Sequence, residues 1–263
     1  MQENKLSIEQ IHLKKFIYIR RHKMKIIASN MHYKALNEMV RNSSKEEFVI
    51  EGCMGQRYIG TGLSTGSIKI YGIPGNALGA YLDGASITVF GSAQDSIGDT
   101  MNDGFIFIHG SCGDTPGYAM RGGKIFIKGD AGYRAGIHMK AYEDKLPVLI
   151  IGGNAGSFLG EYQAGGRIIV LNLNDTEKSP VGYFCGTGMH GGKIFLRCNT
   201  LPANMPQQVN VTIANANDLK EIEDDVAAFC NEFSYNKEMV FDSQFYVLTP
   251  NTKNPYKQLY THC

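Results

Sequence analysis

The sequence predicts an all-β fold: a right-handed parallel β-helix of about 19 residues per rung and seven to eight rungs, with short α-helical flanks. Three observations predict it. All 31 glycines fall between Gly52 and Gly192. The runs IKIYG (68–72), ITVFG (87–91), IFIHG (106–110) and IFIKG (125–129) set Gly72, Gly91, Gly110 and Gly129 at intervals of 19. A second column, Gly60, Gly79, Gly98, Gly117 and Gly136, keeps the same interval.

A rung this short holds two or three short strands and their turns, and has no room for a βαβ unit or a helical hairpin. Each rung must therefore stack on the last at about 4.8 Å, so that eight rungs span roughly 35–40 Å. Glycine suits the repeated corners because it accepts positive φ and close backbone approach. The register survives two insertions, as loops on a repeat array allow. The step from Ile125 to Leu149 is 24, absorbed by AYEDKLP (141–147), and the step from Ile168 to Ile194 is 26, absorbed near NDTEKSP (174–180). Gly160 and Gly186 continue the second column beyond them, and FVIEG (48–52) begins the series.

Strand alternation assigns the inward residues. Ile68/Ile70, Ile87/Val89, Ile106/Ile108, Ile125/Ile127, Leu149/Ile151, Ile168/Val170 and Ile194/Leu196 form two apolar columns inside the coil. The outward column between them reads Lys69, Thr88, Phe107, Phe126, Ile150, Ile169, Phe195. A solvated face would not turn apolar in this way. Phe107, Phe126, Ile150, Ile169 and Phe195 are thus a candidate interface, covered either by the chain's own C-terminal segment or by another protein.

The flanks follow from composition. Residues 1–25 carry seven Lys/Arg against two Glu and form a basic arm, or an extension upstream of a start at Met24. Residues 26–47 read as a helical cap with Asn30 as N-cap and Met31, Leu36, Met39 and Val40 available for packing. Such caps cover the open end of an array and prevent end-to-end association. The β-helix occupies 48–200. The C-terminal arm, 201–263, contains an amphipathic helix over 218–233, with a capping-box-like start at Asp218 and Glu221. Leu219, Ile222, Val226, Phe229 and Phe233 line its apolar face, opposite an acidic one. FYVLTP (245–250) reads as a final strand and the residues after it as a tail.

The formal net charge is +1, with the basic arm offset by about −4 over the remainder, so the body offers no polyanion-binding surface. No apolar run is long enough to span a membrane. The six cysteines form no CxxC pair and read as reduced thiols of a cytoplasmic protein.

Polar groups recur at fixed rung positions: Gln94 with Asp95, Arg121, Tyr133 with Arg134, His138, Glu161 and His190. Leu82, Met101, Met120, Met139, Gln163 and Met189 form a ladder that stacking alone produces, and methionine fills irregular gaps, so the core reading prevails over a copper(I) site. His138 and His190 stand two rungs, roughly 10 Å, apart and do not share a zinc. Asp95 and Asp114, one rung apart, could pair for sugar hydrolysis, although turn carboxylates more often bond their own backbone. The two GTG segments lack the helix that binds phosphate. No catalytic, cofactor or metal residue is assigned.

The motifs GQRYIGTGL (55–63), PGNALGAYLDGA (74–85), AQDSIGDTMNDG (93–104), GYAMRGGKIFIKG (117–129), GYRAGIHMK (132–140), GEYQAGG (160–166) and GTGMHGG (186–192) occur in order over roughly residues 26–240. They resemble the glycine-repeat (GXGXG) β-helix domain at the C-terminus of the glutamate synthase large (alpha) subunit, in its stand-alone form. Gln163 stands where the family pattern has Met. The resemblance implies a non-catalytic scaffold in glutamate biosynthesis and ammonia assimilation. Its partners would be a class II glutamine amidotransferase subunit and an FMN/iron–sulfur synthase subunit, with FMN and the cluster on those partners and no cofactor here. A structural subunit of another redox complex, similar to the β-helix subunit of formylmethanofuran dehydrogenase, is the second reading, and a free-standing carbohydrate-active β-helix enzyme the third. No nucleic acid or membrane partner is expected, and a homo-oligomer is compatible.

The register makes a direct prediction. Removing one whole rung, residues 106–124, leaves a folded, shorter β-helix, whereas removing a few residues within a rung does not. Circular dichroism melts that tolerate both deletions equally would refute the 19-residue register.

Overall fold

The computed structural model describes residues 23–174, 179–203 and 205–251. The first 22 residues of the basic arm and the tail from residue 252 lie outside the described residues. In chain order the elements are β1 (Lys23–Ile27), α1 (Tyr33–Arg41), β2 (Glu47–Met54), β3 (Ser67–Ile73), β4 (Asp83–Phe90), β5 (Asp103–Ile108), β6 (Lys124–Ile127) and β7 (Val148–Ile151). They continue with β8 (Ala164–Val170), β9 (Gly191–Arg197), β10 (Val209–Ile213), α2 (Ala216–Phe233), α3 (Lys237–Phe241) and β11 (Phe245–Pro250). The strands form one sheet in the order β1-β2-β3-β4-β5-β6-β7-β8-β9-β11-β10, parallel through β9. This is a parallel β-solenoid, and its register places Ile68 beside Ile87, Ile87 beside Ile106 and Ile106 beside Ile125. The inward residues of β3 to β9 are fully buried.

Opposite the strands, each rung closes through a turn with left-handed residues at alternate positions. Ala77, Gly79 and Tyr81 have φ of 60°, 64° and 56°. Their N–H groups point alternately up and down the stack: Ala77 donates to Asp95 O at 2.9 Å, Gly79 to Ile59 O at 2.8 Å and Tyr81 to Asp99 O at 2.8 Å. The backbone is thus satisfied without an extended strand. Only the middle position aims its missing Cβ into the core, where at Gly79 it would meet Ile106 Cδ1 at 2.6 Å. In the other glycine column the constraint is backbone approach, since a Cβ on Gly72 would meet Cys53 O at 2.2 Å.

The array starts earlier than the glycine pattern indicates. β1 lies parallel to β2, pairing Met24 with Phe48 and Ile26 with Ile50, so the segment from Lys23 is a strand before it is a cap. Burial of Ile26, with Met24 packed against the same core, beneath the first full rung explains why the KMKII segment extends. Asn30 is not the N-cap: it turns the chain at φ 61°, and His32 caps α1. Leu36 and Val40 enter the core, whereas Met39 faces solvent. At the far end β11 pairs antiparallel with β9, and β10 with β11, so the C-terminal arm contributes strands that end the parallel array.

Of the two covers expected for the outward apolar column, the structure has the chain's own. Phe126, Ile150, Ile169 and Phe195 are at most 1% exposed, packed with Ile222, Val226, Phe229 and Phe233 of α2, and Phe107 lies at the margin. This column is therefore not open to a partner. The helix starts two residues earlier than expected, because Asn215 Oδ1 accepts from Asn217 N and Asp218 N while Asp218 Oδ2 accepts from Asn215 N at 3.1 Å. Its acids do not all face water. Lys124 bonds Asp225 at 2.6 Å, Lys193 bonds Glu221 at 2.5 Å and lies 3.5 Å from Asp218, and Arg167 donates to Glu221 O. The Glu221 carboxylate raises the Lys193 pKa further, keeping the pair charged. Arg197 ties α3 to the last rung through Val240 O at 3.0 Å and Ser243 Oγ at 2.8 Å.

Cys53, Cys112, Cys185, Cys198 and Cys230 are unpaired and buried; Cys263 lies outside the described residues. Burial pushes the Cys112 and Cys185 thiols up to about 12 and those of Cys53 and Cys198 to about 11, so none is poised as a nucleophile.

Two outcomes are expected. Phe126→Ala opens a cavity beneath Phe229 and lowers stability by about 3–5 kcal/mol in urea denaturation, whereas Phe184→Ala on the exposed turn face changes it by less than about 0.5 kcal/mol. Iodoacetamide at neutral pH leaves the five buried thiols unmodified until denaturant is added, as mass spectrometry will report. Because their folded pKa values are raised, the stability they contribute is complete below their ordinary value of 9.0 and is lost as pH rises toward about 12, where the folded thiols ionise.

Candidate interaction surfaces

With the strand face beneath α2 closed, the exposed aromatic side chains of the later rungs lie on the turns and, with Tyr142, in the 141–147 insertion. The left-handed position before each middle glycine is filled by Tyr58 in the first turn, by Ala77, Ser96 and Thr115 in the next three and by Arg134, Phe158 and Phe184 in the last three. Ser96 and Thr115 hydroxyls bond at 2.9 Å. Above them the Arg134 guanidinium lies 4.8 Å over the Phe158 ring, which stacks on Phe184 at 4.9 Å. Arg134 Nε also donates to Glu161 Oε2 at 3.0 Å, which fixes the guanidinium over the ring.

The left-handed position two residues beyond the glycine forms a second run. His138 stacks on Tyr162 at 5.2 Å, and Tyr118, the neighbour of the left-handed Ala119, meets His138 edge-on at 6.0 Å. Tyr183 is 64% exposed, Tyr133 54% and Phe184 53%. The stack requires no aromatic here, since Ala77, Ser96 and Thr115 fill the position before the glycine in three rungs. Tyrosine, phenylalanine and arginine are the types that carry protein–protein contacts.

The other polar residues of interest are structural or scattered. Asp95 Oδ1 accepts from Asp114 N at 2.9 Å and Asp114 Oδ1 accepts from Tyr133 N at 2.8 Å, so each carboxylate clips its rung to the next. They do not form an acid/base pair. Gln94 and Arg121 project to solvent on separate rungs, and His190 Nδ1 lies 3.2 Å from Gly188 O. The ladder from Leu82 to Met189 is interior packing, with Gln163 wholly buried and donating from Nε2 to Gly165 O and Gly166 O at 3.2 and 3.1 Å. Among the described residues, no three His, Cys, Asp or Glu side chains gather as metal ligands. A cleft of about 320 Å³ between α1 and the first turn, lined by Asn37, Val40, Arg41, Tyr58, Thr61 and Leu63, has Arg41 as its one charged lining residue and no carboxylate or imidazole. No helix of the described residues is long and apolar enough to cross a membrane.

In the sequence the turn positions stand out as markers of period, and the aromatic run among them is easily missed. Its signal is present, since the steps from Arg134 to Phe158 and from Phe158 to Phe184, 24 and 26 residues, are those of the two insertions.

Comparisons with known proteins agree with this architecture. The chain is 42% identical over 250 residues to MJ1350 of Methanocaldococcus jannaschii, a protein described as uncharacterized, covering 90% of this chain and 95% of that one. It superposes with a TM-score of 0.62 and 20% identity on a chain of the formyltransferase/hydrolase complex (FhcABCD) from Methylorubrum extorquens, solved with methylofuran, over 84% of this chain and 92% of that one. That likeness is one of fold. The GXGXG motif family matches residues 21–250, nearly the whole described solenoid, and the chain belongs to that family.

Proposed function

We propose that this chain is a non-catalytic structural subunit of a glutamate-synthase-like oxidoreductase complex. It holds a class II glutamine amidotransferase chain and an FMN/iron–sulfur synthase chain in fixed relation in the cytoplasm, and the flavin and cluster belong to the latter. The observation that carries the reading is the aromatic and arginine tract on the later turns, exposed on a shaft whose interior is closely packed. Such side chains fit burial against another chain. Ladder hydrogen bonds along the shaft make it stiff enough to set a distance between partners.

The second reading, a structural subunit of another redox complex, is favoured by the fold shared with a chain of the FhcABCD assembly. A carbohydrate-active enzyme is less well supported, because Asp95 and Asp114 hold backbone N–H groups of the next rung.

Reconstitution with the amidotransferase and synthase chains of the same organism tests the proposal. Glutamine-dependent glutamate formation should require this chain, and activity that proceeds equally without it would sink the reading. Tyr183→Glu together with Phe184→Glu should weaken assembly at least tenfold, about 1.4 kcal/mol, while leaving the thermal midpoint of the isolated chain within about 2 °C.

A further inference from the structure

The helix α2 covers only part of the strand face. It begins over β9, where Lys193 meets Asp218 and Glu221, and ends just past β5, where His109 lies 3.1 Å from Glu232 and packs edge-on against Phe233 at 5.0 Å. The same face continues across β4, β3, β2 and β1 with no cover among the described residues. The aromatic surface does not stop with the helix. Phe90 lies 4.9 Å from His109, and Tyr71 stacks on Phe90 at 4.7 Å, so one run of rings passes from beneath α2 into the open.

Beside that run, Met54 pairs in register with Ile73, and Ile27 with Glu51 next to Tyr71. Met54 is 84% exposed, Ile73 48% and Tyr71 46%. A contiguous apolar tract of this kind marks an interaction site.

We propose that the uncovered strand face over β1–β4 docks an amphipathic helix of a partner chain, laid in line with α2. Such an occupant would continue an intramolecular helix-on-sheet interface along the run of rings from Phe233 and His109 to Phe90 and Tyr71. Four strands about 4.8 Å apart present roughly 19 Å, which three to four helical turns cover. The charge requirement differs from that of α2. The column that supplies Lys124, Arg167 and Lys193 beneath α2 reads Lys23, Glu47, Ser67 and Ser86 here, one cation against one acid, and the open face also carries Lys69 and the Lys25–Glu51 pair at 2.8 Å. The fitting helix therefore has an apolar stripe for Tyr71 and Phe90 and an acid facing Lys69, without the row of acids that α2 sets over Lys193 and Lys124.

A second copy fits less well. Its described helices have their apolar sides in use, Leu36 and Val40 of α1 in the first rung, Ile222 to Phe233 of α2 on the sheet and Val240 of α3 beneath.

This inference rests on the scaffold reading, and its test separates the two. The photoreactive residue p-benzoyl-phenylalanine replaces Ile73, and the chain is assembled with the amidotransferase and synthase chains, irradiated and mapped by mass spectrometry. Cross-links to a helical segment of either partner are expected, and Tyr71→Glu with Ile73→Glu should reduce assembly at least tenfold while the isolated chain melts within about 2 °C of the parent. Cross-links to a second copy, or within this chain, overturn the inference. An assembled, active complex without a cross-link at position 73 overturns it and leaves the scaffold reading standing, whereas failure to form any complex overturns both.

Discussion

The hydrogen bonding of one rung's backbone to the next is the constraint from which the rest follows. A parallel ladder on the strand side satisfies half of each rung, and the return path must satisfy its N–H and C=O groups within the same vertical spacing. Alternating left-handed residues solve this, because each reversal of φ swings the next N–H to the opposite rung. The requirement that the middle residue leave the interior to Ile106 and its equivalents makes that residue glycine, and its recurrence fixes the period. Side-chain clips such as Asp95 to Asp114 N run beside the ladder without replacing it.

What can be read from the residues is what this constraint imposes on side chains. The inward columns, the two glycine columns and both insertions are legible, because a stack that repeats its backbone repeats its apolar and small residues too. The ends are harder to read. β1 bears no glycine mark and has one neighbouring strand, so its five residues look like the approach to a helix. The left-handed positions occupied by Tyr81, Arg134 or Phe158 carry no signature, since nothing about those residues announces a positive φ that the surrounding ladder enforces.

The C-terminal helix shows the limit of reading amphipathicity from one segment. Its apolar stripe correctly anticipates a cover for the Phe126–Phe195 column, but the acids beside that stripe read as solvated until the opposing surface is known. Lys124, Arg167 and Lys193 share one register column and draw Asp225, Glu221 and Asp218 inward. The candidate interface is thus an internal seam, and the exposed aromatic tracts lie at the later turns and the first strands.

The pairing between α2 and the sheet also turns the helix into a gauge. A helical turn advances about 5.4 Å and a rung about 4.8 Å, so two scales of nearly equal pitch lie side by side like a vernier. They agree over the stretch that links Asp218 to Lys193 and Glu232 to His109, about four turns against four rung steps, and would drift out of step over a longer one. An array that gained rungs within this stretch would keep its interior yet lose coincidence with its own helix. The number of rungs there is thus set by the α-helix lying across them, although the stacking itself has no preferred length.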